Sequence, residues 1–235
     1  MQKLFIDFEP NGQITLNEEQ SRHIAKALRM KKGDMLTLTN GDGNDYGCQI
    51  NGISGGLVTL SVCYKQANNS EPSVKVTLYQ GVPKASKLED VIQKCTELGI
   101  AAICPTLTHR SVSRPDEKQA KKKGERYKKI ALEAAQQSGR GIVPEIMDMT
   151  ELKKVVENDE SELKILFYEG GGESLKSIIP QDIKSVSVYI GPEGGFELIK
   201  SAGGKIASLG PRILRTQTAP VTALSAIMLL TGNLE

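Results

Sequence analysis

Residues 185–196 read SVSVYIGPEGGF, and the fold turns on how that stretch is taken. Ser185–Ile190 is a β-branched, apolar run of strand length, and Gly191-Pro192 stops it abruptly. Glycine at a strand end permits positive φ and lets a ligand approach the backbone closely. Two neighbouring stretches repeat the design: KILFYEGGG at 164–172 and KIASLGPRILR at 205–215. One glycine-proline turn is ordinary. Three strand ends of this kind in one region predict a shared pocket outside the carboxyl ends of a parallel sheet.

Working outward, helices alternate with these strands. Val74–Gln80 reads as a strand, and Ser86 with Glu89 opens a capped helix that runs to Leu98 and stops at Gly99. Ile100–Cys104 is a further strand. A long helix covers about 118–138 and is closed by Gly139, and an apolar helix runs from Ala219 to Leu230. Alternation of this kind predicts a mostly parallel α/β domain over residues 74–235. Its last helix is apolar all round, which suits buried core or an interface.

Residues 1–70 read differently. Asn17 and Gln20 form a capping-box pattern at the start of a helix expected over 18–31, ended by Gly33-Asp34. Alternating runs follow at Met35–Thr39, Tyr46–Ile53 and Leu57–Tyr64, with turn-rich segments between them. That pattern predicts a small antiparallel β-barrel. Residues 66–73, QANNSEPS, are the best linker candidate.

Composition narrows the function. The chain has 235 residues, 39% hydrophobic and 25% charged, which excludes a disordered or fibrous protein. Its longest apolar stretch near the C-terminus falls well short of the roughly 20 residues of a membrane helix, and acids occupy the N-terminus. The expectation is a cytoplasmic protein. Cys48, Cys63, Cys95 and Cys104 include no closely spaced pair, and His23 and His109 are the two histidines, so no metal site is expected. Two histidines also leave little room for a Ser-His-Asp enzyme. Absence of tryptophan argues against rows of stacking rings.

The net charge of +2 conceals an asymmetry: residues 1–70 sum to zero, 71–140 to +6 and 141–235 to −4. One basic cluster holds Arg22, Lys26, Arg29, Lys31 and Lys32, and a second runs from Arg114 to Lys129. Basic patches on a nearly neutral body suit a selective polyanion binder better than a general nucleic-acid coater. The pocket has neither a P-loop nor a G-x-G-x-x-G turn opening a long helix. A pocket built from main-chain groups suits a nucleoside such as S-adenosylmethionine.

The segments QKCTELG (93–99), RSVSR (110–114), EAAQQSGR (133–140), YIGPEGGF (189–196) and SLGPRILRTQTAPVTAL (208–224) resemble the RsmE family of SPOUT-class methyltransferases. RHIAKALRMKKGD (22–34) is similar to that family's PUA-like RNA-binding signature. The resemblance covers nearly the whole chain in order. It implies a PUA-like barrel followed by a SPOUT α/β domain with a C-terminal trefoil knot, and a homodimer whose active sites are completed across the interface. It further implies methylation of N3 of a uridine in 16S ribosomal RNA of the small subunit, with S-adenosylmethionine as cofactor. The chain departs from the family pattern in two places. Glu197-Leu198-Ile199 follows Phe196 at once, and Thr216-Gln217-Thr218 stands where Thr-Glu-Thr is common.

By the same resemblance, cofactor contacts are expected at Phe167, Tyr168, Glu169, Ile190, Gly191, Gly195, Leu209, Gly210, Ile213, Leu214 and Thr218. Uracil N3 must lose its imide proton before it can attack a methyl group. Arg215 is the expected partner of the developing anion, and Glu193 either a base or a cap of its turn. RNA contacts are expected at Arg22, His23, Lys26 and Arg29 on one helix face, and at Lys84, Lys87, Arg110, Arg114 and Arg140 near loop or helix ends. Two other readings remain open: a non-catalytic RNA-binding assembly factor, and methylation of another RNA group such as a ribose 2′-hydroxyl.

Overall fold

The structure is a computed structural model that describes residues 2–83, 87–108, 115–191 and 195–234. Its contacts divide the chain into two compact units, Met1–Glu71 with Ala135–Val143, and Pro72–Ala134 with Pro144–Glu235.

In the first unit, β1 (Gln2–Phe5), β2 (Gln13–Thr15), β3 (Met35–Thr39), β4 (Asn44–Ser54) and β5 (Leu57–Ala67) form one sheet in the order β1-β3-β4-β5-β2. β1 pairs with β3 in parallel, and the other pairings are antiparallel. The period of two puts Leu36 and Leu38, Cys48 and Ile50, and Val58 and Leu60 into one core. Each fully buried aliphatic there contributes about 1.5–3 kcal/mol. β3 and β5 begin at the residues that alternation predicts. β1 and β2 are short and carried no such signal.

α1 (Glu18–Arg22) opens with the expected capping box: the Asn17 side chain accepts from Gln20 N at 2.9 Å. Buried Ser21 donates to Leu16 O and accepts from Val58 N, tying the helix to β5. The expected helix over 18–31 is shorter than predicted. A π-helical turn takes over at His23–Ala27, with Leu28 N donating to His23 O, and Arg29 leaves with φ +55°. Arg22 and Lys26 still project from helical turns, but Arg29 does not extend their face.

Residues 66–71 of the predicted linker belong to this unit, and Pro72 and Ser73 to the second. β5 runs to Ala67, and Asn68 Nδ2 donates to Asp45 Oδ2 (3.0 Å) and Gly139 O (3.3 Å). Lys3 Nζ donates to Asp45 Oδ1 (2.7 Å) and Gly139 O (2.7 Å). Arg140, expected at an RNA surface, is 3% exposed, with its guanidinium held by both carboxylate oxygens of Glu71 at 3.2 and 2.5 Å. Burial and a two-point ion pair remove it from reach of a phosphate. That expectation is corrected.

The second unit is a parallel sheet flanked by helices. Its strands are β6 (Lys75–Gly81), β7 (Ala102–Leu107), β8 (Glu145–Ile146), β9 (Thr150–Glu151), β10 (Leu163–Phe167), β11 (Ser185–Ile190) and β12 (Lys205–Ala207). The order is β12-β10-β11-β6-β7-β8, with β9 also paired to β7. The helices are α2 (Lys87–Glu97), α3 (Glu117–Ser138), α4 (Leu152–Glu157), α5 (Leu175–Ile178), α6 (Phe196–Ser201) and α7 (Thr218–Leu230). α2 buries Leu88, Val91, Ile92, Cys95 and Thr96 at helical spacing and ends before Gly99, whose φ is +90°. α7 buries Pro220, Ala223, Leu224, Ile227 and Met228 and packs against α2, β6 and β11.

Register places the site. Phe167 pairs with both Ile190 and Ala207, and Ile190 pairs with Gln80. Four strand ends therefore lie level along one edge of the sheet, and the glycine-rich turns leave from that edge.

Candidate functional site

A cleft of about 510 Å³ opens at that edge. β6 supplies Gly81, and Val82 and Pro83 follow it; β10 and its turn supply Leu166, Phe167, Tyr168 and Glu169; β11 supplies Ile190 and Gly191. Ser208, Leu209, Gly210, Arg212, Leu214 and Thr216 line it from the segment after β12, with Lys87, Phe196 and Ala219 from the helices. This size suits one small organic ligand.

The glycines earn their places individually. Gly191 has φ +70° and Gly210 φ +99°, a region that side chains rarely adopt. Gly172 lies so close to β12 that a Cβ would fall 2.6 Å from Ile206 O. Ser208 Oγ accepts from Gly210 N at 3.2 Å and shapes the turn after β12. Tyr168 packs edge-on against Phe196, with ring centroids 5.4 Å apart, so one cleft wall is aromatic.

Eight of the eleven expected cofactor residues are brought together here: Phe167, Tyr168, Glu169, Ile190, Gly191, Leu209, Gly210 and Leu214. Three are not. Ile213 is 79% exposed and does not line the cleft. Gly195 caps α6. Thr218 begins α7 and donates its amide to Arg215 O at 2.8 Å. Arg215 is exposed and its side chain does not line the cleft; its carbonyl accepts from Thr218 N and Ala219 N. Glu193, Lys84, Arg110 and Arg114 lie outside the described residues.

Lys87, expected at an RNA surface, lines the cleft instead. Arg212 joins it, so two cations face the cavity together with Glu169. Sequence reasoning passed over Arg212 although it stands two residues after Gly210 in the quoted motif. Lys87, at the start of α2, offered no signal in the sequence that it stands at the same edge, and the expected cap Ser86 lies outside the described residues. Arg22, His23, Lys26 and Arg29 are all exposed on the first unit.

β6 and β11 also carry a buried polar network, in the core cluster that includes Leu166 and packs against Phe196. Tyr189 Oη donates to Asp159 Oδ2 at 2.6 Å and Ser187 Oγ to Asp159 Oδ1 at 2.8 Å, while Tyr79 stacks on Tyr189 at 4.8 Å. Burial, reinforced by Asp159, pushes the Tyr79 phenol up to about 12 and Tyr189 higher still. Both stay protonated at neutral pH and serve packing. Among the described residues no three His, Cys, Asp or Glu side chains group as metal ligands, and no helix is long and apolar enough to cross a membrane.

Comparison with known proteins adds two family matches: an RNA methyltransferase domain over residues 69–228 and an RNA methyltransferase PUA domain over 16–63. The ribosomal RNA small subunit methyltransferase E of Bacillus subtilis is 37% identical, covering 97% of this chain and 96% of its own length. A methyltransferase from Legionella pneumophila, solved with bound cofactor SAM, is 31% identical with a TM-score of 0.87 over 97% of this chain and 96% of its own. The ribosomal RNA small subunit methyltransferase E of Neisseria gonorrhoeae, bound to S-adenosylmethionine, is 25% identical with a TM-score of 0.89 over 98% of each chain.

Proposed function

Because this chain belongs to the ribosomal RNA small subunit methyltransferase E family, we propose that it methylates N3 of a uridine in 16S ribosomal RNA, using S-adenosylmethionine. The observation that carries the reading is the cleft: glycine-rich turns from three parallel strands converge on about 510 Å³, in a chain similar end to end to methyltransferases solved with that cofactor.

The residues present fit the cofactor. Gly191 and Gly210 allow its close approach to backbone, and Ile190, Leu209 and Leu214 offer apolar walls for a purine ring. When bound, S-adenosylmethionine supplies an electrophilic methyl group on a sulfonium sulfur. The chain's own task is to make uracil N3 nucleophilic and hold it in line. Loss of the imide proton leaves negative charge spread over N3 and the flanking carbonyl oxygens. Lys87 and Arg212 line the cleft and are assigned to stabilise that charge. They take precedence over Arg215, whose exposed side chain lies outside the lining.

RNA docking is assigned to the exposed cations Arg22 and Lys26 of the first unit, read as a PUA-like barrel. Phosphate contacts there supply affinity, and the target base must be unstacked to present N3. The second unit is read as a SPOUT domain with a C-terminal trefoil knot. A homodimer in the cytoplasm completes the proposal. Its supporting feature is the C-terminal apolar surface that includes Leu229, 55% exposed, and Leu234, 46% exposed.

The deciding experiment is methyl transfer from labelled S-adenosylmethionine to small ribosomal subunits from cells lacking this enzyme, followed by nucleoside mass spectrometry. N3-methyluridine is the expected product. Label on a ribose 2′-hydroxyl would move the target, and cofactor binding without transfer to any RNA would favour the assembly-factor reading.

A further inference from the structure

Gln80 is a polar residue where an apolar one would pack without penalty. It lies next to last in β6, fully buried. Its Nε2 stands 3.1 Å from Gly81 O, 3.3 Å from Ile190 O and 3.3 Å from Thr216 Oγ1. Two of these partners are carbonyl oxygens, which only accept. Turning the amide over would set oxygen against oxygen, so the nitrogen faces them and donates. Thr216 Oγ1 therefore receives. Among the described residues the buried Gln80 Oε1 has no partner. Native proteins seldom keep such an atom unpaired without a use, so this side chain is held for its N–H groups.

A hydroxyl that accepts from an amide has its own proton left for another acceptor. Among the described residues Thr216 finds none, and Thr216 lines the cleft, as do Gly81 and Ile190. We infer that Gln80 is a positioning residue of this cleft: it fixes the Thr216 hydroxyl as a hydrogen-bond donor toward an acceptor atom of bound S-adenosylmethionine. The inference rests on reading the cleft as the cofactor site. The same amide ties the ends of β6 and β11 to the segment entering α7. The donor is thus aimed before the ligand arrives, and the ordering cost of binding is lowered.

Gln80→Met keeps the length of the side chain and removes both N–H groups. Calorimetric titration of S-adenosylmethionine into the full chain is the test. Gln80→Met is expected to bind about tenfold more weakly, without a lower melting temperature for the free protein, because the orphaned oxygen goes too. Thr216→Val loses a similar factor, Thr216→Ser stays close to wild type, and the Gln80→Met/Thr216→Val double variant is no weaker than either single one.

Wild-type affinity in Gln80→Met, or losses that add in the double variant, would overturn the inference. So would a Gln80→Met variant that melts lower and binds normally, the signature of a purely structural role. Should Gln80→Met fail to fold, the Thr216 pair decides, and Thr216→Val binding as tightly as wild type would overturn it. A wild-type chain that binds no cofactor removes the cofactor reading and this inference together. That result is distinguishable, because the wild type is titrated first.

Discussion

Gly81 lies against the backbone of Gly191: a Cβ on Gly81 would stand 2.4 Å from the Gly191 carbonyl oxygen. Both residues line the cleft, so the ends of β6 and β11 meet there with no room for even a methyl group. Gly81→Ala must push the two ends apart. The expected outcome is a loss of about 1–3 kcal/mol in stability, with cofactor affinity reduced as well. Chemical denaturation and calorimetry check both, and an alanine variant that melts and binds like wild type would refute the close approach.

Arg140 and Glu71 make the corresponding test in the first unit. Their ion pair is largely buried, at 4% and 22% side-chain exposure. Arg140→Ala leaves the carboxylate without its partner and is expected to cost about 2–4 kcal/mol, somewhat under a fully buried pair. Its effect on RNA binding should be indirect. The dependence of RNA affinity on salt should keep its slope in Arg140→Ala and flatten by about one to two units in Arg22→Gln/Lys26→Gln. A flattened slope in the Arg140 variant would return that residue to the RNA surface.

The assignment of anion stabilisation separates Arg212 from Arg215. Arg212→Ala is expected to lower kcat by about 10²–10³, the usual loss for one donor at a developing anion, with cofactor affinity little changed. Lys87→Ala should follow in the same direction. Arg215→Ala should retain most of kcat. Single-turnover methyl transfer to small ribosomal subunits gives the ranking, and the reverse order would restore Arg215 as the catalytic cation.

Alkaline stability follows from buried acids held in their neutral forms. Burial pushes the Cys95 thiol up to about 12, the Cys48 thiol to about 11 and the Tyr79 phenol to about 12, from ordinary values of 9.0, 9.0 and 10.0. Below about pH 9 the folded and unfolded chains hold these protons alike. Above it the unfolded chain releases protons that the folded chain keeps, so stability falls as pH rises toward about 12. Melting temperatures measured from pH 8 to 11 should decline, and Cys95→Ala should make the decline shallower. An unchanged slope in that variant would count against burial as the cause.

Much of the architecture was legible because it is written in local sterics. Met35–Thr39 and Ser185–Ile190 are strands at the predicted residues, and Gly99 and Gly139 stop their helices with positive φ. Three glycine-rich strand ends did mark the cleft. Short strands such as Gln2–Phe5 were not legible, since four residues carry too little pattern. Arg29 was misplaced because a π-turn breaks the 3.6-residue count on which its face was drawn.

By itself, then, the sequence determined which segments are strands and helices, where the chain turns, and which family's motifs it carries, because periodicity, glycine φ and capping act over a few residues. Tertiary structure alone decided which of those segments share an edge. Parallel register brings Gln80, Phe167, Ile190 and Ala207 level, and so gathers Lys87 around one cavity with Arg212 and Thr216, more than a hundred residues further along the chain. It also turned Arg140 from a candidate RNA contact into a buried partner of Glu71. Hydrogen bonding between distant strands and burial of distant charges set those outcomes, and neither has a local signature.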